Sequence, residues 1–226
     1  MTGPARGARG APTPEGERRW PPSFAIVALI VFPFLLPSHV FPRVFWLSAP
    51  LELGLLVAIV WIDPGRIDRR SAVIHNLSIV LTALFAVMAV VATGWLVAEL
   101  IDGAPNLDNA KTLLATGALV WLDVNLTFSL LYWQLDGGGS AERLHRMRRY
   151  PDFAFPEHQN PELAPPSWRP VYADYLYLGF TNATAFSPTD VMPLARWAKL
   201  LMSAQAMLSI VILSLVIANA VNILGS

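Results

Sequence analysis

Residues 77–101 read LSIVLTALFAVMAVVATGWLVAELI, a run with no charged side chain before Glu99. A bilayer core about 30 Å thick takes roughly 20 helical residues to cross, at about 1.5 Å each. This stretch meets that length, and the rest of the chain is read outward from it. Four more apolar runs are expected to cross: 24–40, 44–62, 112–135 and 194–224, the last with its apolar centre at 200–221. The first is short and carries Pro33 and Pro37, so a kink or tilt is expected there.

Composition agrees with that reading. The 226 residues are 54% hydrophobic and only 14% charged, where soluble domains carry about 25% charge. Sixteen basic and sixteen acidic residues cancel, which argues against a nucleic-acid binder or a site built on a field of one sign. The absence of cysteine excludes a disulfide scaffold, a thiolate metal site and a thiol nucleophile. Trp20, Trp46, Trp61, Trp95 and Trp133 fall near the expected span ends, where indoles anchor at the interface.

Arginine placement predicts the orientation. The N-terminal tail is basic, the 63–75 loop holds Arg66, Arg69 and Arg70, and the loop after the fourth span holds Arg143, Arg146, Arg148 and Arg149. Residues 102–111 carry two aspartates and one lysine. Two hairpins satisfy this pattern, with the N-terminus, 63–75 and 136–170 cytoplasmic and 102–111 outside. Residues 1–22, rich in Gly, Pro, Ala and Arg, are expected to be a disordered tail ahead of a membrane domain over 23–226. The basic tail and the apolar run at 23–36 also suit a signal peptide. No small-x-small cleavage site follows, because the run ends in Pro37-Ser38-His39-Val40-Phe41-Pro42.

The polar segment 137–170 begins with Gly137-Gly138-Gly139, which stops the fourth helix. Its prolines, with Phe153, Phe155 and Trp168 between them, predict a loop lying on the membrane surface. The apolar part of 172–186 is too short to cross, so a re-entrant half-helix is expected there. The expected fold is thus an all-α polytopic integral membrane protein with about five transmembrane helices and a re-entrant half-helix.

Two resemblances attach to the C-terminal half. Thr184-Ala185-Phe186-Ser187-Pro188-Thr189-Asp190, followed by Pro193-Leu194-Ala195-Arg196, resembles the pore module of two-helix-type cation channels. That family runs pore helix, filter and final helix in this order. Ser187 and Thr189 stand where its filter glycines belong, and Pro188 stands at the aromatic position. The resemblance therefore implies a degenerate module without a potassium-type filter. The stretch from Asp174 to Asp190, the helix to Asn222 and Tyr132-Trp133-Gln134-Leu135-Asp136-Gly137-Gly138 are also similar to uncharacterised bacterial inner-membrane protein families. That likeness implies a multi-pass protein of the cytoplasmic membrane and carries no known activity.

Candidate pathway residues are the polar groups at membrane depth: Asp123, Asn125, Thr181, Asn182, Thr184 and Asp190. Asp123 and Asn125 near the middle of the fourth span suit either an ion or proton site or a hydrogen-bonded helix contact. Thr181, Asn182 and Thr184 suit either cation coordination at the half-helix tip or satisfaction of its open carbonyls. Asp190 is expected to cap the last helix, Gln205, Asn219 and Asn222 to make interhelical contacts, and Glu52 to pair with Arg43 or His39. No catalytic constellation is present: Gly-x-Ser-x-Gly is missing, and the histidines have no ligand spacing. No enzyme activity, cofactor, metal or nucleic-acid partner is expected. The expected partners are the lipid bilayer, further copies of the chain, and an ion or small solute. The leading expectation is a pore-loop, channel-like membrane protein with Asn182, Thr184 and Asp123 on its pathway; the alternative is a non-conducting membrane scaffold or accessory subunit, and the second alternative a proton-coupled carrier using Asp123 and Glu52.

Overall fold

The structure is a computed structural model that describes residues 16–35, 44–67, 71–102, 107, 109–145, 150–185 and 190–225. Its elements in chain order are β1 (Glu17–Arg18), α1 (Trp20–Val31), α2 (Val44–Ile62), β2 (Arg66–Ile67), α3 (Ala72–Ile101) and α4 (Ala110–Leu135). Then follow α5 (Ser140–His145), β3 (Phe153–Ala154), α6 (Pro156–Gln159), α7 (Tyr172–Ala185), β4 (Met192–Pro193) and α8 (Arg196–Gly225).

Among the described residues, four helical runs are long and apolar enough to cross a membrane: α2, α3, the run Ala110–His145 that begins with α4, and α8. The remaining apolar helix, Trp20–Phe34, is shorter than a span. It begins four residues before the expected run, with Pro21 and Pro22 in its first turn. At Phe32–Phe34 it tightens into a 3-10 turn, because Pro33 has no N–H to continue the α-helical ladder. The end of the expected run, 36–40, lies outside the described residues. Side-chain caps start the two central helices: Ser71 Oγ accepts from Ile74 N, and Asn109 Oδ1 accepts from Lys111 N at 2.8 Å.

α4 is the axis of the bundle, packed against α3, α7 and α8, while α2 packs on α3 and α1. Gly117 lets α4 approach α8 closely, since a Cβ there would stand 2.6 Å from a Val216 methyl. The ends of α1, α2, α3 and α4 that carry the polar connections meet at one end of the bundle. There β1 pairs antiparallel with β2, and Arg19 Nη2 bridges Asp63 Oδ2 at 2.6 Å with both side chains buried. Residues 16–22 are therefore not part of a disordered tail. Glu17 Oε2 accepts from Trp133 Nε1 at 2.9 Å and from Ser140 Oγ at 3.0 Å, and its Oε1 accepts from Tyr172 N at 2.5 Å. Trp133 is accordingly a buried donor rather than an interface anchor.

The segment after α4 also departs from the surface loop that was expected. Phe153 and Phe155 are buried, and Phe153 sits edge-on to Tyr132, Tyr175 and Trp197 at centroid distances of 5.5, 6.4 and 5.5 Å. β3 pairs with β4, and Leu194 N and Ala195 N both donate to Asp152 O. These bonds hold residues 192–195 extended and delay the start of α8 to Arg196. Asp190 lies six residues upstream and does not cap that helix, contrary to the sequence expectation.

α7 starts at the polar end, beside Glu17, and is about 21 Å long. The chain is back at the polar end by Met192–Pro193, and Tyr177 Oη reaches Asp190 Oδ2 at 3.5 Å on the way. α7 and α8 therefore run in the same direction, side by side.

Removing the Glu17 carboxylate leaves three donors from α4, α5 and α7 without their acceptor. Glu17→Ala is expected to cost about 2 kcal/mol and to lower the thermal unfolding midpoint in detergent. Glu17→Gln, which keeps an acceptor in place, should lose less. A midpoint unchanged in Glu17→Ala would show that this clamp does not hold the arm.

Candidate functional site

The polar groups predicted as a pathway fall into three separate places. The first is a knot between α4, α7 and α8 centred on Gln205, which is fully buried. Gln205 Oε1 accepts from Tyr132 Oη at 2.6 Å and from Asn182 Nδ2 at 2.8 Å. Its Nε2 donates to Gly179 O at 2.8 Å and to Asn125 Oδ1 at 3.4 Å. A primary amide can make four hydrogen bonds, and this one makes all four inside the protein. Asn182 Nδ2 also donates to Met202 O at 2.9 Å, and Asn125 Nδ2 donates to Trp121 O at 2.9 Å. Ser129 Oγ donates to Asn125 O at 2.7 Å on the same face of α4.

Gly179 makes that packing possible. A Cβ at this position would collide with Ser129 Oγ and stand 3.3 Å from Asn125 O. The backbone of α7 thus presses directly on α4. The sequence reading picked out Asn125, Asn182 and Gln205 but missed Gly179, whose one signal is a glycine within an otherwise helical apolar run.

The second place is the opposite side of α4. Asp123 is half-buried there, against a gap of about 10 Å³ bounded by Phe32, Pro33, Phe45, Ala92, Leu119 and Val120. That volume holds at most a single water. Glu52 of α2 is buried and within electrostatic reach of Asp123. Its expected partners, His39 and Arg43, lie outside the described residues. A two-residue step along α4 turns about 200°, so Asp123 and Asn125 face different neighbours.

The third place is the outer face of α7. Thr181 Oγ1 donates to Tyr177 O at 3.0 Å and Leu178 O at 3.1 Å, and Thr184 Oγ1 donates to Phe180 O at 2.9 Å. Both hydroxyls close on their own helix, as threonine does when it bonds back one turn. Thr184 and Asp190 are exposed. The structure therefore unites Asn125 with Asn182 and separates Asp123, Thr181, Thr184 and Asp190 from them.

The polar end holds a denser arrangement that sequence reasoning did not find. Asp136, at the end of α4, accepts from Tyr175 Oη through Oδ2 at 2.5 Å. Arg143 Nη1 donates to Trp133 O and Asp136 O, both at 2.7 Å, while its guanidinium lies 5.0 Å above the Tyr175 ring. Gly137, Gly138 and Gly139 all take positive φ (61°, 85° and 98°), a sequence of left-handed residues that only glycine adopts without strain. They carry the chain from α4 into α5 between two cavities of about 470 and 460 Å³. The first lies towards α3 and the N-terminal arm, the second beneath His158, Trp168 and Arg169. In the first turn of α7, burial pushes the Asp174 carboxyl above its ordinary range, opposed by the hydrogen bond from Val171 N.

Comparison with protein-family models, with curated proteins and with solved structures finds no match to this chain.

Overpacking at Gly179 tests the knot. Gly179→Ala is expected to cost about 1–3 kcal/mol in detergent unfolding. Ser129→Ala in the same chain should recover part of that loss, because it removes the oxygen that the new methyl strikes. Additive losses in the double variant would contradict this packing.

Proposed function

We propose that the protein is a non-conducting polytopic membrane protein, a scaffold or accessory subunit, in which α7 is a re-entrant half-helix serving as a structural wedge. The saturation of Gln205 carries this reading: its four hydrogen bonds consume the amide and hydroxyl groups that a conduction pathway along α7 would need. Dehydration of a passing ion requires protein oxygens free to replace its water. The Thr181 and Thr184 hydroxyls are directed at their own helix, and the Asp123 gap takes at most one water. Along its length α7 packs against α4 and α8, which bury Tyr175, Leu178, Gly179, Asn182 and Ala183.

On this reading the membrane helices hold a polar platform in place. The arginine distribution favours its lying on the cytoplasmic side of a bacterial inner membrane. Its outer rim presents Leu163 and the Pro161–Pro166 stretch to solvent, a surface for a protein partner.

Reconstitution into liposomes decides between scaffold and channel. Flux of sodium, potassium and protons is expected to stay at the level of empty vesicles, in wild type and in Thr184→Ala alike. Asp123→Asn is expected to change unfolding stability and nothing in transport. A saturable flux that is lost in Thr184→Ala or Asn182→Ala would establish the pore-loop function instead, and pH-dependent uptake lost in Asp123→Asn would establish a carrier.

A further inference from the structure

The second cavity at the polar end, of about 460 Å³, falls within the roughly 300–1,000 Å³ usual for a small-ligand site. Arg169 and His158 stand on its wall with the apolar groups of Pro151, Ala154, Trp168 and Pro170. Arg143 and Asp136 line it beside Gly137.

Arg169 is half-buried, and its Nη1 donates to Leu144 O at 2.7 Å. Among the described residues no carboxylate lies within ion-pair distance of it, and nothing accepts from its Nε–H or its Nη2. Neither of these two nitrogens is sealed from solvent. The carbonyl on Nη1 thus fixes the guanidinium and leaves its Nε–Nη2 edge open. That edge carries two parallel N–H groups at the spacing of the two oxygens of a carboxylate.

Arg143 contributes charge without contact. Its Nη1 is held by Trp133 O and Asp136 O, and its Nη2 is buried. The Asp136 carboxylate on the same wall offsets it. Arg169 is therefore the unbalanced charge of the cavity, which suits a monoanion. The turn amides are not free to cradle a phosphate, since Gly137 N donates to Asp152 Oδ2 and Gly139 N to Asp136 O, both at 2.9 Å. His158 Nδ1 accepts from Phe155 N at 3.4 Å, which places the proton of the neutral ring on Nε2 as a further donor. The His158 and Trp168 rings meet edge-on with centroids 5.1 Å apart. Flat indole and proline faces suit a planar body better than a flexible chain.

We propose that this cavity binds an aromatic monocarboxylate, its carboxylate forked by Arg169 and its ring against Trp168, Pro151 and Pro170. Its ligand is independent of whether the protein conducts ions.

The test uses the full chain in a non-ionic detergent and isothermal calorimetry, with protein-free micelles titrated in parallel. 2-Naphthoate is expected to bind saturably above the micelle signal. 2-Naphthamide, of the same shape without the charge, should bind roughly tenfold more weakly. Arg169→Gln should weaken naphthoate about tenfold, and Arg169→Lys, which keeps the charge but not the fork, by a smaller factor. Ala154→Leu should also weaken it, by filling the cavity without touching the guanidinium. The naphthamide comparison needs no variant, so it stands even where a substitution lowers the unfolding midpoint. No saturation by naphthoate, equal binding of the amide, or tighter binding of 2-naphthyl phosphate would overturn the proposal. So would a naphthoate affinity unchanged in both Arg169→Gln and Ala154→Leu.

Discussion

Gln205 sits where water does not reach, and each of its four hydrogen-bonding positions must find protein. In a hydrocarbon medium there is no solvent to accept a stray N–H or to solvate a carbonyl, so an unsatisfied amide has no alternative arrangement. Tyr132, Asn182, Gly179 and Asn125 supply the four partners from two other helices. Because they come from α4 and α7 while Gln205 belongs to α8, a shift of any one helix breaks several bonds together. A half-helix has little contact area of its own with which to resist such a shift. The amide network and the close Gly179 approach provide that resistance.

The polar end applies the same principle with charged groups. Glu17 joins the arm to α4, α5 and α7, Arg19 and Asp63 tie it to the end of α2, and Asp136 with Arg143 and Tyr175 binds the glycine turn to α7. Phe153 fills the space among Tyr132, Tyr175 and Trp197. The segment that looks like a loop is thus the lid of the bundle's core. With α7 clamped at its start by Glu17 and along its length by Gln205, it has the character of a fixed structural part.

Much of the architecture was legible from hydropathy alone. α2 has the bounds read from its apolar run, α7 covers 172–185 of the expected 172–186, whose last residue lies outside the described ones, and α3 contains 77–101 with one further turn at its start. These agree because the length of an apolar helix and its terminating residues are local properties. Asp190 was misread because its local sequence does not show that Met192–Pro193 pair with a distant strand and that the helix begins only at Arg196. Asp152 lies 42 and 43 residues upstream of the Leu194 and Ala195 amides that donate to it, and it leaves no trace near Asp190. Glu17 was misread for a similar reason. Its surroundings are polar and proline-rich, and its three donors lie more than 100 residues away in the chain.

The sequence by itself determined that the chain is helical, that several helices are long and apolar enough for a bilayer, and that 172–186 is too short to be one of them. These follow from side-chain hydrophobicity summed along a continuous segment. Which polar residues meet was decided only by tertiary structure. Asp123 and Asn125 are two residues apart and face opposite sides of α4, while Asn125 and Gln205 are 80 residues apart and share a hydrogen bond. Helical rotation and the packing of α7 between α4 and α8 set those distances, and neither is encoded in the spacing of the residues along the chain.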